Sequence, residues 1–277
     1  RHGADVTFTK ASGWTALMSA CQHGHVGCAE LLLDRGANGS QAKRDGWTPL
    51  LIASKGGHDE CVTLLLERGM SVNRAKVDGW TPIMVASQNG HASTVELLLS
   101  RGADVGLRKP NGFTSLMAAC QNGHTQAAKL LLDANAAVSA HRSDDGWTAL
   151  MLTCQNGFAE TAKLLIDHKA NVHQALTNGW TALMAAAQNG RDEIVQLLID
   201  VGADREAVRD DGMNAMMLAE EYGRLTTSRL LRGGEKQPTP DDPFRYPDPR
   251  KGPMVKRGSS RSKMSTATKV MARLEGK

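Results

Sequence analysis

The 277-residue sequence predicts an all-α fold class, a solenoid of helix-turn-helix units, and three observations predict it. All five tryptophans follow a glycine at the head of a repeating unit: Trp14, Trp47, Trp80, Trp147 and Trp180. The leading glycines Gly13, Gly46, Gly79, Gly112, Gly146, Gly179 and Gly212 lie 33 residues apart, with one step of 34. A second glycine follows each eleven residues later, from Gly24 to Gly223, and an apolar triplet such as Leu64 to Leu66 follows in turn. A fixed period of this length marks units that bury their apolar faces on one another.

Each unit opens on a helix start. The Thr48 and Thr81 hydroxyls can accept a hydrogen bond from a free N–H of the first turn. Pro49 and Pro82 stand at the first helical position, where no N–H is needed. Apolar residues then recur at helical spacing, as in Leu116, Met117, Ala119 and Cys120. The small residues Ala20, Ala53, Ala86, Ala119, Ala186 and Ala219 let neighbouring helices approach.

The second glycine ends this helix, because glycine adopts the left-handed conformation of a helix terminus. A second helix, such as Ser93 to Arg101, holds the Leu triplet and closes at Gly102. Neither helix is long enough to be stable alone in water. A polar stretch leads to the next turn, and one extra residue lies near Ser143-Asp144-Asp145, where an exposed loop is expected.

The pattern Gly-x-Thr-Pro-Leu-x-x-Ala…Gly-His…Leu-Leu-Leu…Gly-Ala-Asp-Val closely resembles the ankyrin repeat. The resemblance covers residues 1–232: the end of a preceding repeat at 1–9, then seven units. Two slots depart from the family. Met18, Leu51, Met84, Met117, Met151, Met184 and Met217 replace its usual His, trading a polar turn contact for apolar packing. Lys10, Lys43, Lys76, Lys109 and Arg209 stand where the family often has Asp.

Composition bounds the class. No run of 18 apolar residues suggests a membrane span. Five cysteines suggest no disulfide framework, and Cys21, Cys120 and Cys154 share a slot with Ser54, Ser87 and Ala187, so reduced core thiols and a cytoplasmic or nuclear setting are expected. Arg1 to Val6 matches the end of a repeat, so the sequence is expected to begin inside a longer protein. Residues 1–232 hold 22 basic and 24 acidic residues, net −2, whereas 233–277 hold 11 and 5, net +6. That Pro-rich basic tail reads as disordered.

Catalytic and metal chemistry finds no support. The cluster Cys21, His23, His25 and Cys28 has metal-like elements, but Cys120 and His124 repeat two of its slots without the other two. The recurring His25, His58, His91 and His124 are therefore expected to be turn residues bonded to local backbone. No phosphate loop, metalloprotease pattern or nucleophile elbow occurs. The expectation is no enzyme, no cofactor, no metal and no small-molecule substrate.

The resemblance implies β-hairpin fingers between the helix-turn-helix units, with the residue after each leading Gly at the base of its finger, toward the concave side. Trp14, Trp47, Trp80, Phe113, Trp147 and Trp180 then form a file, either packing finger on finger or anchoring a partner. Lys10, Lys43, Arg44, Lys76, Lys109, Arg142 and Arg209 run beside it, close enough for cation–π contact or simply solvated. Gln88-Asn89, Gln121-Asn122, Gln155-Asn156 and Gln188-Asn189 add donors and acceptors. The expected function is a protein-interaction scaffold or adaptor holding an acidic and apolar partner segment in this groove. The alternatives are a tether to nucleic acid or anionic membrane through the tail, and a regulatory segment of a larger enzyme or channel. Lys55-Gly56, the finger at 141–145, Phe158 and Arg191 break the repeat and are the residues expected to give the partner its address.

Overall fold

The computed structural model describes residues 5–233, and the expectations for the tail beyond Gly233 lie outside the described residues. Fourteen helices fill this stretch, two per unit. The first helices are α1 (Ala16–Gln22), α3 (Pro49–Gly56), α5 (Pro82–Gln88), α7 (Ser115–Gln121), α9 (Ala149–Asn156), α11 (Ala182–Gln188) and α13 (Ala215–Glu221). Their partners are α2 (Val26–Asp34), α4 (Asp59–Glu67), α6 (Ala92–Ser100), α8 (Thr125–Asp133), α10 (Ala159–Asp167), α12 (Asp192–Asp200) and α14 (Leu225–Leu231).

The helix starts are as expected. The Leu51 N–H donates to the Thr48 Oγ1 at 3.3 Å, and Met84 and Met117 donate to Thr81 and Thr114 at 3.4 and 3.2 Å. These caps are buried, so each hydroxyl satisfies a donor that water cannot reach. The donating residue fills the slot where the repeat usually has His. Its side chain is fully buried at Met18, Leu51, Met117 and Met184, whereas Met217 in the last unit is exposed.

Each first helix packs on the first helix of the next unit, and the second helices stack in a parallel row. Ala53, Ala86, Ala119, Ala186 and Ala219 are inaccessible to solvent at this seam. In the fifth unit Thr153 takes the alanine slot, and its hydroxyl donates to the Ala149 carbonyl one turn back at 2.8 Å. That bond lets a polar side chain sit in the core without an unmet donor.

The fingers are turns rather than strands. Among the described residues they contribute only isolated bridges, at Thr9–Thr15, His141–Thr148 and Ala175–Thr181. Each bridge joins a single pair of residues, too few for a ladder, so the hairpin fingers are closed by tight turns without a sheet. Each finger nests against the next, and the leading glycine makes room. Gly46 has φ +88°, and a Cβ there would lie 2.6 Å from the Val77 backbone nitrogen. The inserted residue widens one finger: Gly146 N–H donates to Arg142 O four residues back, where Gly46 donates to Lys43 O three back. Ser143, Asp144 and Asp145 are exposed, as an inexpensive insertion requires.

No helix among the described residues is long and apolar enough to cross a membrane.

Candidate functional site

The finger turn fixes where each indole and each cation stand. The Lys43 N–H donates to the Trp47 carbonyl at 2.9 Å, and Lys76 and Lys109 do the same to Trp80 and Phe113 at 2.8 and 2.9 Å. A cation and an aromatic residue therefore face each other across every such turn. Their side chains, however, pair between units. The Lys43 ammonium lies 5.5 Å from the Trp14 ring centre, Lys76 lies 4.7 Å from Trp47, and Lys109 lies 4.7 Å from Trp80. Arg209 covers Trp180 at 5.0 Å. Each cation roofs the indole of the unit before its own, a geometry within cation–π reach.

The indoles are half-buried and rest on the core. Phe113 is buried, 5.7 Å from Trp80 at 57° between ring planes, and Lys109 also lies 5.9 Å from it. Two positions break the ladder. Arg142 turns away from Phe113 into its own widened finger, where it meets Asp144 at 3.1 Å and Asp145 at 3.2 Å. Hydrogen bonding to that guanidinium holds the Asp144 carboxyl down at about 2. In the finger after Trp147, Leu176 occupies the slot where the other units offer a cation. Arg44 is exposed on its finger.

Local carboxylates neutralise most of the roof. Lys43 is 3.4 Å from Asp45 and Lys76 is 3.4 Å from Asp78, while Arg209 pairs with Asp211. Lys109 differs because Asn111 stands where those fingers have Asp, and no carboxylate among the described residues lies within salt-bridge distance of it. Lys55 is likewise without one, and lies 5.5 Å from the Trp47 ring.

The paired polar residues at the first-helix ends divide their work. The Asn89, Asn122, Asn156 and Asn189 carboxamides donate to the carbonyls of Val85, Ala118, Leu152 and Ala185 at 2.8 to 3.0 Å. Their donors are thus engaged in closing their own helices. Gln88 and Gln121 are exposed, and Gln155 and Gln188 are half-buried.

The expectation that the histidines bond local backbone fails. His58, His91 and His124 instead donate through Nε2 to the carbonyls of Gln22, Lys55 and Gln88 at 2.9, 2.9 and 3.0 Å, in the preceding unit. A carbonyl accepts, so Nε2 bears the proton. Arg191 and Arg224 perform the same task, donating Nε to Gln155 O and Gln188 O at 3.3 and 3.2 Å. Arg191 is therefore a stand-in for the template His. Phe158 has no such donor, and there Asn156 reaches the Gln121 carbonyl at 3.1 Å.

The Cys21–Cys28 stretch is divided by burial, with Cys21 in the core and Cys28 exposed. Burial pushes the Cys21 and Cys120 thiols up to about 12, so they act as neutral core groups.

Sequence reasoning missed the pairing of cation with the preceding indole. It also missed that Lys55 and Lys109 lack a neighbouring carboxylate. The second was readable: Asp45, Asp78 and Asp211 stand two residues after their cations, and Asn111 interrupts the series.

The family of ankyrin repeats, in its three-copy form, matches in overlapping stretches: 1–76, 35–109, 83–175, 135–207 and 154–241. No curated protein sequence matches the chain. Among solved structures, the crystal structure of the human ASB11 ankyrin repeat domain superposes with a TM-score of 0.71 at 28% identity, covering 82% of this chain and all of that one. With unit length, caps and stacking in agreement, the chain belongs to the ankyrin repeat family.

Proposed function

We propose that this protein is a scaffold or adaptor that holds an extended segment of a partner protein along the face formed by its fingers and first helices. Ankyrin repeats are general protein–protein interaction modules, and the fold is typical of non-enzymatic ones. The observation that favours this face is the roofed aromatic file, in which Lys55 and Lys109 have no carboxylate of their own. A partner's acidic side chains complete those cations, and its apolar groups meet the indole edges. Amphipathic aromatic residues beside charge are the usual composition of binding hot spots.

The test is capture of partners by the intact chain, beside variants Lys109→Glu and Trp47→Ala/Trp80→Ala/Trp147→Ala checked by circular dichroism. A partner lost by both folded variants, with affinity falling as salt rises, supports the reading. A partner kept by both removes it. Deleting 233–277 separates the alternative: a tail-borne tether to nucleic acid or anionic membrane loses its target, and the scaffold keeps its own.

A further inference from the structure

One cleft stands out along the file, between the first and second units. Trp14, Trp47 and Ile52 form its apolar wall, Lys43 and Lys55 its charged rim, and its volume is about 360 Å³. The second unit departs from the repeat here at two adjacent residues. Lys55 replaces the glutamine found at Gln22, Gln88, Gln121, Gln155 and Gln188, and Gly56 replaces the asparagine of Asn89, Asn122, Asn156 and Asn189. Gly56 makes room for the His58 ring, since a Cβ there would lie 2.5 Å from His58 Cδ2, and in the same unit a cation is added at the cleft rim. Gly56 also gives up the carboxamide that elsewhere closes the helix.

Lys55 has no carboxylate within salt-bridge distance among the described residues, and its ammonium stays over the Trp47 ring at 5.5 Å. Lys76 reaches the same ring at 4.7 Å. Lys76 is paired with Asp78, so Lys55 is the cation over this indole that an incoming anion completes. We infer that the Trp14–Trp47 cleft is an anchoring subsite for one acidic residue of a partner polypeptide, its carboxylate on Lys55 and an adjoining apolar side chain between the indoles. The inference rests on the groove reading proposed above. The apolar wall beside one unpaired lysine favours a polypeptide, which sets a single carboxylate next to an apolar side chain, over a nucleic acid, whose charge repeats along its length. The volume suits one aromatic-sized group with its carboxylate.

The probe is 3-phenylpropionate, with its neutral amide 3-phenylpropionamide as control, titrated into the full-length chain while the indole N–H signals are followed by NMR. The carboxylate should shift the Trp14 and Trp47 signals at millimolar concentration and leave Trp147 and Trp180 in place. The amide should bind about tenfold more weakly, and Lys55→Gln should bring the carboxylate down to the amide's level. Lys55→Arg should retain the preference. Equal binding of acid and amide, an unchanged acid affinity in Lys55→Gln, or shifts spread over all five indoles would overturn the subsite. A partner lost on Lys109→Glu while phenylpropionate ignores Lys55 removes the subsite and keeps the groove. Phenylpropionate bound through Lys55, with a partner indifferent to Lys109 and the indoles, keeps the subsite and removes the groove.

Discussion

Asn156 donates its carboxamide to the Gln121 carbonyl at 3.1 Å, a bond that spans two units and replaces the one His58, His91 and His124 make elsewhere. The substitution of Phe for His at 158 thus leaves no bond missing at the seam between the fourth and fifth units. Asn156 also donates to Leu152 O at 3.0 Å, whereas Asn122 has only its Ala118 bond at 2.9 Å.

Asn156→Ala is accordingly expected to lower stability by roughly 1 kcal/mol more than Asn122→Ala, the worth of one additional hydrogen bond. Urea unfolding of the two variants measures the difference. Adding Phe158→His to Asn156→Ala should recover part of it, because the ring restores a donor to Gln121 O.

Lys76→Met keeps the aliphatic stem of the side chain and removes the charge over Trp47. It should cost about 0.5–1 kcal/mol and change the Trp47 emission. The partner effect in the opposite sense comes from Leu176→Lys, which offers Trp147 the cation that the other indoles have. An emission change confined to that indole in a Trp147-only background checks it.

Asn135 and Lys169 adopt φ of 63° and 68° at the ends of α8 and α10, where Gly36, Gly69, Gly102 and Gly202 stand in other units. Lys169→Gly should raise stability by about 1 kcal/mol by relieving left-handed strain, and Asn135→Gly by less, since asparagine tolerates that region. The converse pair is Gly102→Ala and Gly90→Ala. The first meets open space, whereas a Cβ at Gly90 would lie 2.5 Å from His124 Nδ1 and push that ring off Gln88 O. Gly90→Ala should therefore be the more damaging, as thermal unfolding will show.

Of the five cysteines, only Cys28 is exposed. A thiol reagent should titrate one group in the native chain and the other four only on unfolding. The pH dependence has a definite sign. Cys21 and Cys120 bind their protons more tightly when folded, up to about 12 against an ordinary value near 9. Their contribution is complete below pH 9 and is lost as pH rises from 9 towards 12, at up to ~1.4 kcal/mol per pH unit for each thiol. Cys120→Ala should flatten that alkaline decline.

The unit length, the caps at Thr48 and Thr81 and the buried methionines were legible because each depends on residues within one unit. The exposed insertion at 143–145 was legible for the same reason. Contacts between units were not. His91 and Lys55 are 36 residues apart, and nothing in either residue says whether the ring turns to its own helix or to the one before. Arg191 reads as a deviation in sequence, yet a guanidinium and an imidazole present an N–H at similar reach, so the bond survives the exchange. The cation file was recognised as lying near the indoles, but the offset that sets Lys76 over Trp47 rather than Trp80 arises from the stacking of fingers.

Both sets of inter-unit contacts point the same way along the chain. Lys43, Lys76, Lys109 and Arg209 complete the indole before them, and His58, His91, His124, Arg191 and Arg224 complete the carbonyl before them. The solenoid consequently has a grammar in which every unit is closed by its successor. A unit leaving the ribosome therefore gains these contacts only once its successor has been made.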